Sequence, residues 1–187
     1  TALALHFHRL GHTTTLTARR LWHAAGMASD RENTDYLPGV AIPDDLQIGH
    51  EVKPAILEAD AVVVATPVKG LTEACRQLAD ARETAWNLRA VIAVCKGLEP
   101  DSLELPSEVL RKALPGLPVG ILSGPTNARE LALGQPAAAT LAMNGESSIR
   151  DELQAAWSNE AFRLYGSEDV TGIALGGSLK NVYAIAS

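Results

Sequence analysis

The stretch Val91–Pro100, VIAVCKGLEP, decides how this chain reads. Val91, Ile92, Ala93, Val94 and Cys95 make a short apolar run rich in β-branched residues, the pattern of a strand buried on both faces. The run stops at Lys96-Gly97. A cation placed where a buried parallel strand ends lies at the edge where open α/β sheets bind ligands. The alternative is that Lys96 snorkels to water from an ordinary strand end.

Outward from this stretch, apolar runs alternate with helical patterns. Ala61–Thr66 (AVVVAT) and Val119–Ser123 (VGILS) predict two more buried strands, and Ala137–Ala142 and Phe162–Tyr165 another two. Thr13–Ala18 and Leu46–Ile48 are shorter strand candidates. Helices are predicted over Thr1–Leu10, Leu21–Ala28, Glu51–Glu58, Val68–Leu78, Leu105–Leu114, Thr126–Leu133 and Ser147–Trp157. A last helix over Glu168–Ser187 is expected to break or kink at Gly176-Gly177, and Asp30–Asp45 reads as polar turns. Such alternation predicts an α/β fold: a doubly wound, mainly parallel sheet, Rossmann-like and dinucleotide-binding. The alternation gives way to continuous helix near Ser167, so the expected division is residues 1–167 for that domain and 168–187 for a final helix.

Composition narrows the function. The 187 residues are 47% hydrophobic and 20% charged, enough apolar content for a core and too little charge for a disordered chain. The net charge of −6, without any Lys/Arg run, gives no electrostatic reason to expect nucleic acid or a membrane surface. No apolar run approaches the roughly 18 residues needed to span a bilayer. Cys75 and Cys95 stand apart without metal-like spacing and read as free thiols of a cytoplasmic protein. The five histidines show no spacing with Cys, Asp or Glu that suggests a metal site. Both ends read as cut, in mid-helix at Thr1 and again at Ala184–Ser187. A helix, a glycine and then a short strand read as the second half of a βαβ unit, so a first strand is expected before Thr1.

Three strand ends share one character: Ala65-Thr66-Pro67, Cys95-Lys96-Gly97 and Ser123-Gly124-Pro125-Thr126. In a parallel sheet they emerge together around one crevice. Pro67 and Pro125 stiffen two of these turns, Gly97 and Gly124 admit close approach of a ligand, and Thr126-Asn127 opens a helix whose free N–H groups suit an anion. Each turn alone is also ordinary strand-to-helix punctuation. In Gly176-Gly-Ser-Leu-Lys-Asn181, Gly176 and Lys180 are four apart and share a helix face. Paired glycines in a helix cost about 1 kcal/mol each against alanine, a cost that either room for a ligand or close packing against a neighbour would justify. Arg19-Arg20 follow the Thr13–Ala18 strand without an acidic residue, where a dinucleotide fold reads the adenosine ribose. That favours NADPH over NADH, the alternative being a solvated pair at a helix start.

These motifs resemble the N-terminal part of bacterial NAD(P)-dependent glycerol-3-phosphate dehydrogenase. The matching segments are Thr1–Leu5, Glu32-Asn33 with Tyr36–Gly39, Lys96–Glu99, Ser123–Thr126 with Ala128–Glu130, and Gly176–Asn181. The resemblance implies reduction of dihydroxyacetone phosphate to sn-glycerol 3-phosphate, for glycerophospholipid synthesis, with NADPH or NADH. It implies Lys180 as the proton donor to the carbonyl and Lys96 as a second catalytic contact to substrate and cofactor. Gly124 and Thr126 would line the substrate site, and Ala128 and Arg19 would touch the cofactor; Arg20 and Pro67 are further cofactor-binding candidates. A homodimer is compatible with it, and the fragment alone is expected to be inactive. Thr17-Ala18 and Asn127 depart from the usual pattern of the family, which has Trp-Gly and often an aromatic residue at these places. Two other readings are a lysine-dependent β-hydroxyacid dehydrogenase, which also carries a Gly-x-x-x-Lys-Asn helix, and a nucleotide-sensing module without chemistry.

Overall fold

A computed structural model describes residues 1–145 and 147–186, with side chains described throughout that range except at 180–184. The elements in chain order are α1 (Ala2–Arg9), β1 (Thr15–Thr17), α2 (Leu21–Asp30), β2 (Glu32–Asn33), β3 (Leu37–Ala41), β4 (Gln47–Gly49), α3 (Val52–Ile56), β5 (Ala61–Val64), α4 (Leu71–Ala81), β6 (Ala90–Ala93), α5 (Pro106–Ala113), β7 (Val119–Ser123), α6 (Ala128–Ala132), β8 (Ala137–Met143), α7 (Ser147–Trp157), β9 (Phe162–Ser167) and α8 (Val170–Ala186).

The main sheet runs β5-β6-β7-β8-β9. β5, β6 and β7 are parallel, β8 is antiparallel to β7, and β9 is parallel to β8. β6 is the axis of the molecule: Ala90, Val91, Ile92 and Ala93 are all fully buried. Its alternation shows why the run has no polar face. Val91 and Ala93 join a core with Leu71, Cys75, Leu78 and Leu110 on one side. Ala90 and Ile92 join Phe7, Trp157 and Phe162 on the other.

The remaining strands stand apart. β1 pairs in parallel with β4, and β2 pairs with β3 as an antiparallel hairpin. Together with α1 and α2 they enclose a third core around Met27, Leu37, Ile42 and Leu46.

Four sequence expectations are corrected. The segment read as turns, Asp30–Asp45, holds the β2–β3 hairpin: β2 is two polar residues long and Pro38-Gly39 interrupts β3, so no strand period shows, yet Leu37, Val40 and Ile42 are buried. The helix expected from Thr126 begins at Ala128, because the Asn127 side chain accepts bonds from the Arg129 and Glu130 amides and caps it. The final helix is continuous through Gly176-Gly177, since the packing described below supports those residues. The helix expected over Val68–Leu78 divides into a 3₁₀ turn, Val68–Gly70, and α4, which continues to Ala81.

Candidate active site at the carboxyl edge of the sheet

Because β5, β6 and β7 are parallel neighbours, their three carboxyl ends do lie side by side. Lys96 is half-buried just beyond β6. Gly97 has φ +101°, a conformation that only glycine adopts without strain, and it turns the chain away from the strand. The turn is tied down by Ser178 of α8, whose Oγ accepts from the Gly97 amide at 3.0 Å and donates to the Ala174 carbonyl at 2.8 Å. Glu99, buried at 8% exposure, organises the loop beyond. One of its oxygens accepts from the Asp101 and Ser102 amides and the Ser102 hydroxyl. The Ser102 amide, first among these bonds, holds the Glu99 carboxyl below its usual range.

The glycines beside this turn have different tasks. A Cβ on Gly124 would stand 2.6 Å from the Ala138 carbonyl oxygen and 2.7 Å from Ala139 Cα, so this glycine serves strand packing. It also lines a cleft at its edge. A Cβ on Gly177 would overlap Ser123 Oγ and come within 4.0 Å of Lys96 Cγ, so α8 lies directly on the ends of β6 and β7. Gly176, in contrast, has nothing within 4 Å among the described residues. It faces a cleft of about 340 Å³ lined by Ser123, Gly124, Pro125, Thr140, Gly172, Ile173 and Gly177. Close packing thus accounts for Gly177, while Gly176 borders the cleft.

The cofactor candidates separate as well. Arg19 Nη1 lies 4.0 Å from the Cβ position of Gly70, beside Thr66 and the turn that Pro67 begins. The Thr66 hydroxyl oxygen is buried without a hydrogen-bond partner among the described residues, and Val68 of the same turn lies against Gly97. Arg19, the β5 turn and the Lys96 turn thus form one continuous edge. Arg20 points elsewhere, its guanidinium 5.6 Å from the centre of the exposed Trp22 ring. Ala128 is exposed at the start of α6, next to Arg129, which donates to the Pro38 carbonyl at 2.6 Å and clasps the hairpin. Thr126 is half-buried in the turn between. Lys180 belongs to α8, but its side chain lies outside the described residues.

Ser178 and Thr66 carried no assigned role in the sequence reading. For Ser178 the available signal was a serine in a helix interior, two residues before the lysine. Cys75 and Cys95 are free, and burial pushes both thiols up to about 11. Among the described residues no group of three His, Cys, Asp or Glu could hold a metal ion, and no helix is long and apolar enough to cross a membrane.

Helices on both faces of a mainly parallel sheet, with glycine- and proline-bearing turns gathered at its carboxyl edge, define a Rossmann-like α/β domain. Residues 1–149 match the family described as NAD-dependent glycerol-3-phosphate dehydrogenase N-terminus. Glycerol-3-phosphate dehydrogenase [NAD(P)+] of Cupriavidus necator is 42% identical over 200 aligned residues, covering all of this chain and 57% of that protein. The protein of the same name from Neisseria gonorrhoeae is 38% identical over 188, covering all of this chain and 56% of its own length. The crystal structure of glycerol-3-phosphate dehydrogenase from Coxiella burnetii superposes with a TM-score of 0.88 at 29% identity, covering 99% of this chain and 55% of that one. The chain belongs to the NAD-dependent glycerol-3-phosphate dehydrogenase family. It spans about half the length of the relatives it matches.

Proposed function

We propose that the protein carrying this chain reduces dihydroxyacetone phosphate to sn-glycerol 3-phosphate with NADPH or NADH, supplying the backbone of glycerophospholipids in the cytoplasm. In this reading residues 1–167 form the dinucleotide-binding domain and 168–187 begin the helical domain. The observation that carries it is the seating of α8 on the ends of β6 and β7, which brings the Lys96 turn and the Gly176 cleft together. Helical spacing puts position 180 on the face of α8 that carries 173, 176 and 177.

The cofactor, when bound, supplies the hydride. Arg19 would hold its adenosine side, helped by the turn of Thr66 and Pro67, and a 2′-phosphate gives the arginine a partner. The unpartnered Thr66 hydroxyl fits a polar ligand at this edge. Lys96 would stabilise the negative charge that develops on the carbonyl oxygen, and Lys180 would deliver the proton to it. A cation at 96 near a lysine at 180 would lower the pKa of the latter toward working pH, as a general acid requires.

The test is the fall of NADPH absorbance in the whole protein on adding dihydroxyacetone phosphate. Lys180→Ala should slow it by about 10²–10⁴-fold, the usual worth of a positioned acid. Turnover that survives the substitution moves proton transfer elsewhere. Turnover of a hydroxy acid in place of dihydroxyacetone phosphate assigns the protein to a related lysine-dependent dehydrogenase.

A further inference from the structure

We infer that Ser178 is a positioning residue, whose hydroxyl fixes the Lys96 turn to α8 and so sets the spacing between that lysine and the helix face bearing position 180. The inference rests on the reading of function above and adds to it a residue outside the proposed reacting groups.

The geometry starts from Gly97. Pairing of β6 with β7 ends at Ala93, and the last bond toward β5 runs from the Val94 amide to the Val64 carbonyl at 3.1 Å. With φ at +101°, Gly97 has left the strand, and its amide must find another acceptor. That acceptor is Ser178 Oγ at 3.0 Å. A serine inside a helix commonly spends its hydroxyl on the carbonyl four residues back. Ser178 does so with Ala174 at 2.8 Å, which commits its proton and leaves its lone pairs for Gly97. The Gly97 amide, the Ser178 hydroxyl and the Ala174 carbonyl form a chain in which each bond polarises the next.

The adjacent residue completes the fixture. Gly177 lets α8 close on Ser123 and on the Lys96 stem, so contact and hydrogen bond act at successive helix positions. Contact alone permits the turn to slide along the helix; the bond sets its register. Catalysis is sensitive to such register, because a misplacement of about 1 Å can cost on the order of 100-fold.

The experiment compares Ser178→Ala and Ser178→Thr with the wild-type whole protein. Two readouts are used: steady-state kinetics with NADPH and dihydroxyacetone phosphate, and hydrogen exchange at the Gly97 amide without substrate. Ser178→Ala should lower kcat by about 10–100-fold, the range a loosened geometry produces, with KM for NADPH within about twofold. The Gly97 amide should exchange faster, and Ser178→Thr, which keeps the hydroxyl, should restore both. Unchanged exchange at Gly97 in the alanine variant overturns the inference, whatever the activity. Faster exchange with undiminished kcat also overturns it, since the bond is then structural only. A threonine variant that behaves as alanine does the same. Absence of wild-type turnover breaks the functional reading instead, and is seen before any variant is compared.

Discussion

At the ends of β6 and β7 the molecule is closed by glycines packed tightly on their neighbours. Gly124 meets the main chain of β8, Gly177 meets Ser123, and the Gly97 amide is bonded to α8. At the end of β1, side chains do the work in the open. Arg19 and Arg20 are exposed; one reaches toward the β5 turn and the other stacks on Trp22. On the proposed function the first corner would fix where a reacting group stands, a task that tolerates little slack. The second would offer exposed guanidinium groups to a charged ligand. A substitution should therefore act mainly through stability at the first corner and through affinity at the second.

The sharpest test of that contrast is Gly124→Ala. Its Cβ would overlap the backbone of Ala138 and Ala139 in a strand paired on both sides, so neither partner can withdraw cheaply. A loss of about 3 kcal/mol is expected, at the upper end of ordinary overpacking. In a chain of this size that lowers the melting temperature by roughly 6–12 °C. Calorimetry showing a shift of only a degree or two would mean that the β7–β8 junction is looser than its geometry states.

The arginine corner should respond in affinity. Arg19→Ala is expected to weaken NADPH binding by about 10–100-fold, the worth of a charge-assisted hydrogen bond, with NADH hardly affected. Arg20→Ala should do less to either cofactor, because its guanidinium is engaged by Trp22. Fluorescence titration of both variants with both cofactors checks this. Equal losses from the two arginines would erase the distinction drawn between them.

Legibility in the sequence followed the same division. Buried parallel strands announce themselves, since β6 must be apolar on both faces, and the residues after it stood out because the run stopped at a lysine and a glycine. Segments whose order comes from long-range side-chain bonds were silent. The β2–β3 hairpin is held partly by Arg129, 91 residues from the Pro38 carbonyl it binds, and no local pattern encodes that. The roles of Gly176 and Gly177 could not be separated either, because sequence gives their spacing but not which of them meets Ser123. The reversal of β8 was equally hidden, as an apolar run carries no direction.

A pH experiment probes the structural side away from both corners. His6 is buried, with Nε2 2.7 Å from the Trp157 carbonyl oxygen and its ring edge-on to Phe162. Desolvation, the leading cause, lowers its pKa from the ordinary value of 6.5, so the folded state holds it neutral and Nε2–H donates. A depressed folded pKa means that its contribution to stability is whole above 6.5 and is lost as pH falls through that value toward the folded one. Urea midpoints should therefore drop as pH falls below 6.5, and His6→Gln should flatten that drop, though it lowers stability overall. An unchanged slope in the variant would trace the pH dependence to other groups.

The smallest effect is the most discriminating, because stability and activity are expected to move in opposite directions. Gly176 sits in the interior of α8, and no described residue stands within 4 Å of where a Cβ would go. Gly176→Ala should therefore stabilise the fold by about 0.5–1 kcal/mol, the ordinary gain of alanine over glycine in a helix. The same methyl would project into the cleft bounded by Ser123, Gly124 and Thr140. If that cleft receives the substrate, KM for dihydroxyacetone phosphate should rise while the melting temperature rises too. A methyl that raises both Tm and kcat/KM would show the space at Gly176 to be unused. A glycine kept in a helix at a cost in stability, beside one that packing requires, is otherwise without a physical reason.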